Sequence, residues 1–228
     1  SLMSAIESDS VLRNFKMIAE PWDISRYSLG DFPHPWREWN DRYRDSVRQF
    51  WLGDLARGYG EGVADIAAGI NGSSDVFYYR GPTSSINFIT AHDGFTLADL
   101  VMYSNKRNEP NQEDNRDGSN ENRSWNMGVE GISEDAELIA LRHSLKKSIM
   151  ATLLLSAGVP MITMGDELCR TQSGSNNAYS MPRDMTPAIA DSPETFMGGW
   201  ANNWELNEIQ RDMRDSVAEL TRIRKTYL

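Results

Sequence analysis

The sequence predicts an α/β fold assembled from parallel strand–helix units. Three observations carry this reading: short apolar runs that end in acidic residues, amphipathic helices placed after them, and long polar loops between. Met17 to Ala19 is the first such run, Ser85 to Thr90 the second and Val159 to Met164 the third. Near-continuous apolar runs of this kind fit strands covered on both faces. The 228 residues are 39% hydrophobic and 25% charged, enough for a single domain with a buried core.

Taken in order, Met3 to Leu12 carries weak helical spacing at Met3, Ile6 and Val11. Lys16 to Asp23 follows. Pro21 has no N–H and ends ladder pairing, which puts Glu20 at the C-terminal lip of the first strand. A carboxylate beside Trp22 in that position suits a proton donor with a raised pKa, and it equally suits a strand end held by a salt bridge. Ile24 to Trp39 reads as irregular, broken by Gly30, Pro33 and Pro35. Its Tyr27, Phe32, Trp36 and Trp39 fit either a hydrophobic cluster or a sugar-stacking surface. From Asn40 a helix is predicted, with Tyr43, Val47, Phe50 and Trp51 on one face and Gly53 as its stop. A second helix covers Glu61 to Ile70, closed by Asn71-Gly72.

The second strand delivers His92-Asp93 at its end, and Gly94 permits the turn out. A short helix, Phe95 to Tyr103, leads into Asn105 to Gly131, which is crowded with Asn, Asp, Glu, Arg and Gly. A polar connection of this length is expected to be an ordered, substrate-facing loop, docked through Trp125. Glu134 to Ala157 is a long helix, apolar at Leu138, Leu141, Leu145, Ile149 and Leu153, and stopped by Gly158. The third strand then ends in Gly165-Asp166-Glu167. Cys169 is expected in an apolar strand, as a buried and inert thiol. Thr171 to Asn203 reads as irregular, with paired asparagines at Asn176-Asn177 and Asn202-Asn203, and Leu206 to Tyr227 as a final helix.

The net charge of −10 argues against nucleic acid and anionic membranes as partners, since both need a basic face. A single cysteine excludes an internal disulfide and a cysteine-rich zinc site. The longest apolar stretch, Ile149 to Met164, is broken by Ser156, Gly158 and Pro160 and does not reach a membrane span. No basic region followed by an apolar core opens the chain, so a cytoplasmic location is expected, with the natural start upstream of Ser1.

The strand ends offer Glu20, Asp93 and Asp166, with His92 beside Asp93. Histidine with carboxylates suits several divalent ions, yet no second histidine stands at a ligand spacing, and no metal is expected. His143 falls within the long helix, as a surface or packing residue. No Gly-x-Ser-x-Gly elbow and no phosphate-binding glycine loop is present. Glycoside chemistry fits best. One protonated carboxyl donates to the leaving oxygen while ionised carboxylates support an oxocarbenium-like state, with no cofactor.

Ala19-Glu20-Pro21-Trp22-Asp23, Thr90-Ala91-His92-Asp93-Gly94 and Gly165-Asp166-Glu167 resemble the α-amylase superfamily of (β/α)8-barrel glycosidases. Trp39 to Asp45, Asn122-Arg123-Ser124-Trp125-Asn126 and Asn176-Asn177-Ala178-Tyr179 are similar to its isoamylase and glycogen-debranching branch. The resemblance implies a partial barrel, approximately strands five to eight with their helices, so that residues 1–228 would be the C-terminal half of a catalytic domain. It implies that Glu20 is the general acid/base and Asp93 the transition-state stabiliser. His92 and Trp22 would bind sugar, as would Asn122, Arg123 and Trp125 on the long loop. The implied substrate is a branched, glycogen-like α-glucan.

Two departures accompany the resemblance. The family's nucleophilic Asp follows a Gly-Phe-Arg-Phe-Asp type motif that this chain lacks and that would belong upstream of Ser1. After Tyr179, where the family continues into an Asp-Asn-Glu and Trp-rich segment, this chain reads Ser180-Met181-Pro182-Arg183. The chain as given is therefore expected to show no appreciable hydrolysis, or to act as a non-catalytic half-barrel that binds glucan. Two open strand edges would favour self-association.

Overall fold

Four short parallel strands form one sheet in the sequential order β1-β2-β3-β4. They are β1 (Ile18–Ala19), β2 (Arg37–Asn40), β3 (Ser85–Asn87) and β4 (Val159–Pro160). The computed structural model describes residues 2–58, 60, 62–180 and 204–228. Ala19 stands opposite Glu38, Glu38 opposite Ser85, and Asn87 opposite Pro160, so all four C-terminal ends emerge at the same edge of the sheet.

The strand predicted at Met17 to Ala19 is present as β1, shortened to two residues and with Ile18 exposed rather than buried. Its neighbour β2 is a correction, because the sequence predicts irregular chain up to Trp39 and a helix from Asn40. The residues that β2 buries are Glu38 and Asn40, both polar. Glu38 forms an ion pair with Arg80 and accepts the Gly30 N–H at 2.6 Å. Asn40 donates to the hydroxyls of Ser73 and Ser85, each at 2.9 Å. A strand whose inward groups are satisfied polar side chains carries no apolar alternation.

Helix α1 (Leu2–Ser8) is shorter than the spacing of Met3 to Leu12 predicts. Helix α2 (Asp41–Arg48) starts where Asn40 Oδ1 accepts the Tyr43 N–H at 3.0 Å. Gly53 does not stop it. The chain passes through a π-turn at Gln49–Gly53 into α3 (Asp54–Arg57) and ends at Gly58, whose φ of 76° is left-handed. Gly53 keeps helical dihedrals, and the Gln49 side chain fills the space that a Cβ there would take. Next come α4 (Val63–Ile70), where the helix from Glu61 was predicted, and α5 (Ser74–Phe77). Glu61 itself lies outside the described residues.

After β3, the helix predicted from Phe95 to Tyr103 shortens to α6 (Leu97–Leu100), capped by the Thr96 hydroxyl. The long helix is α7 (Ala136–Leu155), and Asp135 caps its first turn. Strand β4 is shorter than predicted and half-buried. Asp166 and Glu167 lie in a 3-10 turn, and Cys169 follows it with a φ of 56°, buried but outside any strand. The last helix, α8 (Glu208–Tyr227), begins with a capping box between Asn207 and Gln210. Asn202-Asn203 and Met181 to Arg183 lie outside the described residues.

The core sits between the sheet and its helices. Tyr43 and Val47 of α2, Leu97 and Leu100 of α6, Ile149 and Leu153 of α7 and Met213 of α8 all meet there. Arg224 of α8 donates to the carbonyls of Leu154 at 2.8 Å and Ser156 at 2.7 Å, and also to Gly158. The open carbonyls at the end of α7 are thereby satisfied from the neighbouring helix. Among the described residues, no helix is long and apolar enough to cross a membrane.

Candidate active site

Because the strands are parallel, the loops that follow them share one edge, and the sequence-predicted residues collect there. Glu20 follows β1 directly and is exposed, so the enclosure expected for it beside Trp22 is absent. Among the described residues it has no ion-pair partner. The Trp22 ring instead packs towards Trp39, with centroids 6.5 Å apart. Trp39 lies 5.6 Å from Phe88 and 5.7 Å from His92. An unbroken row of rings thus runs from the exit of β1, across β2, to the exit of β3. Asp23 closes the turn beyond Trp22, accepting the Ser25 N–H at 2.6 Å and the Arg26 N–H at 2.8 Å. The Ser25 amide holds the Asp23 carboxyl below its ordinary range.

His92 and Asp93 are both exposed, with His92 Nε2 3.6 Å from Asp93 Oδ2. Asp93 borders a polar cavity of about 370 Å³, together with Arg44, Arg48, Gly94, Asn122 and Asn176. Loop and sheet are pinned together at this cavity. Gly94 N–H donates to the Asn176 carbonyl at 2.9 Å. Asn176 Nδ2 donates to Asn122 Oδ1 at 2.8 Å, and its Oδ1 accepts from Asn108 at 2.8 Å. Arg123 pairs with Asp45 of α2 at 3.1 Å, and Arg44 pairs with the other oxygen of Asp45 at 2.7 Å.

Arg48 is the group that sequence reasoning missed. It is almost wholly buried, and it donates from Nε to the Ile89 carbonyl at 2.9 Å and from Nη1 to the Asn122 carbonyl at 3.2 Å. Burial, with Arg44 nearby, brings its guanidinium down to about 9, which still leaves it cationic at neutral pH. Its partners lie 41 and 74 residues away, beyond any local signal. The Trp39 to Asp45 motif was the nearest clue.

The loop from Asn105 to Gly131 is ordered by its own polar groups. Lys106 Nζ donates to the Asp117 and Gly118 carbonyls at 2.7 and 3.1 Å. Buried Arg142 of α7 donates to the carbonyls of Gly131, Asn126 and Val129. Trp125 is set apart from the cavity: its backbone N–H donates to the Leu100 carbonyl at 3.0 Å, and its ring packs against the core.

Asp166, the third strand-end carboxylate, is buried. It accepts the Leu97 N–H at 3.0 Å and the Thr90 hydroxyl, joining the exits of β3 and β4 to the start of α6. It is structural in this arrangement. His143 is half-buried on α7 and bonded to Asp212 of α8 at 2.6 Å, a packing residue as expected.

No family model matches the chain. A glycogen operon protein GlgX homologue of Mycobacterium bovis is 42% identical over 226 residues, which are 97% of this chain and 29% of that protein. A glycogen debranching enzyme of Pectobacterium atrosepticum is 43% identical over 230 residues, or 99% of this chain and 32% of the enzyme. The chain thus spans about a third or less of the curated relatives it matches. Among solved structures, a pullulanase from Anoxybacillus sp. superposes with a TM-score of 0.62 at 21% identity, covering 92% of this chain and 26% of that one. That likeness concerns the fold alone. By sequence, the chain is similar over 97–99% of its length to glycogen debranching enzymes and their GlgX homologues.

Proposed function

We propose that this chain carries the proton donor and the transition-state carboxylate of a debranching glycosidase that cuts α-1,6 links in glycogen-like glucan. In this reading the four strands are the fifth to eighth of an eight-stranded barrel, and residues 1–228 are the C-terminal half of its catalytic domain. The observation that carries the reading is the shared edge, where Glu20 and His92-Asp93 leave parallel strands joined by the rings of Trp22, Trp39 and His92.

Glu20 protonates the glycosidic oxygen as the bond breaks, and Asp93 supports the positive charge that develops on the sugar. His92 binds hydroxyls, Trp22 offers its ring to the sugar face, Arg123 contacts the glucan from the loop, and Asn122, its amide committed to Ser119 and Asn176, forms part of the pocket wall. Trp125 seats that loop on the core. A retaining mechanism needs a second carboxylate about 5 Å from the acid. Among the described residues Asp166 is buried among structural partners and does not supply it, and the sequence carries no motif matched to that role, so the chain alone is expected to turn over no glucan. Reducing ends released from glycogen test this. The chain alone should release none, and the same chain joined to its upstream reading frame should release them. Clear hydrolysis by the chain alone, abolished by Glu20→Gln, would overturn it.

A second reading, a non-catalytic half-barrel that self-associates, rests on the sheet's edges. Strands β1 and β4 have no outer neighbour among the described residues, and Ile18 of β1 is 49% exposed. Such edges invite pairing.

A further inference from the structure

The cavity beside Asp93 is balanced in charge. Two guanidinium groups, Arg44 and Arg48, face two carboxylates, Asp93 and Glu121. Its amides are already committed: Asn122 Nδ2 donates to the Ser119 carbonyl at 3.3 Å, and Asn176 Nδ2 donates to Ser119 and Asn122. They form a fixed wall and have little left to offer a ligand.

Arg48 differs. Nε and Nη1 are spent on the Ile89 and Asn122 carbonyls, while among the described residues Nη2 has no hydrogen-bond partner. Nη2 lies on the Gly94 side of the cavity, where a Cβ added to Gly94 would stand 4.0 Å from it. A buried cation that bonds only to backbone carbonyls is costly to hold, and its remaining donor, which is not a buried unsatisfied atom, opens to the cavity, where water or a ligand completes it.

We propose that Arg48 is a ligand-binding residue, its Nη2 donating to a hydroxyl of a neutral sugar residue in this cavity while Asp93 accepts from a neighbouring hydroxyl. Charge balance disfavours a phosphate or an ammonium group, and a volume of about 370 Å³ lies in the range of small-molecule sites. The ligand class rests on the glucan reading above. Because the same side chain fixes the exit of β3 and the carbonyl of Asn122, binding would also stiffen the loop against the sheet.

The test is calorimetric titration of maltotriose into this chain, its Arg48→Lys variant and its Glu121→Trp variant. Lysine keeps the charge but its compact ammonium lacks the planar fork that reaches the Ile89 and Asn122 carbonyls and a ligand together, and affinity should fall about 10-fold or more, as for a lost charge-assisted hydrogen bond. Glu121 is exposed, so tryptophan there obstructs the cavity without disturbing buried Arg48, and binding should again be lost. Urea midpoints and circular dichroism of each variant establish the folded fraction. A purely structural Arg48 would lower the midpoint of Arg48→Lys and leave the affinity of the folded fraction unchanged, which would overturn the proposal. Wild-type affinity in Glu121→Trp, or no binding by the unmodified chain, would overturn it too. The glucan reading itself would stand or fall separately, on hydrolysis by the longer reading frame.

Discussion

Asp166 holds the first turn of α6 through the Leu97 amide, 3.0 Å from its Oδ1, while its other oxygen takes the hydroxyl of Thr90. The neighbouring Asp99 is equally buried and accepts the Thr171 hydroxyl and the Gln172 N–H. Burial pushes both carboxyls up from 3.8 to about 6, against the pull of those hydrogen bonds. A folded value above the unfolded one means that the folded state binds more protons between about pH 4 and 6. Each group therefore favours folding at low pH, and that contribution falls away as pH rises through this window, by an amount on the order of 3 kcal/mol. In Asp166→Asn the amide can accept from Leu97 and donate to Thr90, so the contacts survive without the charge. Urea unfolding of both proteins at several pH values should show wild type losing stability relative to Asp166→Asn as pH rises from 4 to 6, and no further divergence above. A constant difference across that window would refute the assignment.

Trp39 touches Trp22, Phe88 and His92 and is half-buried. Trp39→Ala should cost about 2 kcal/mol in urea unfolding, below the 3–5 kcal/mol typical of a fully buried aromatic. Trp39→Phe should recover much of that, because a ring still spans the row.

Arg224 closes the end of α7 with bonds to three carbonyls. Removing a charged donor from such groups costs about 1.5–3 kcal/mol. Arg224→Ala should lower the unfolding free energy by about 2 kcal/mol, and Arg224→Lys by less. An unchanged urea midpoint would show that water caps the helix equally well.

Light scattering at micromolar concentration addresses the open edges of β1 and β4. The chain should run as a dimer or larger, and a charged residue at Ile18 should shift it towards monomer. A monodisperse monomer in the unmodified chain would sink the half-barrel pairing.

How far the sequence revealed this molecule depended on what each element buries. β1 and β3 are legible because their apolar runs stop at Pro21 and Gly94, and α7 and α8 because their caps and spacing are local. β2 was invisible because it turns Glu38 and Asn40 inward, towards Arg80, Ser73 and Ser85, partners brought near only by the fold. Gly53 misled for a related reason: its helical dihedrals are kept by a π-turn, which no periodicity announces. At the candidate site, Glu20, His92 and Asp93 are proposed from motifs. Arg48 carries no motif, and its role depends on carbonyls contributed by β3 and the long loop.

The proposed proton-donor role of Glu20 is the centre of the account. The measurement is the effect of Glu20→Gln, in the full reading frame, on two substrates: a branched glucan and α-maltosyl fluoride. Fluoride leaves without protonation, whereas a sugar alkoxide does not. A general acid typically contributes about 10²–10⁴-fold, so glucan cleavage should fall by that much while the first burst of fluoride release stays near wild type. Equal losses on both substrates, or none on the glucan, would contradict the assignment.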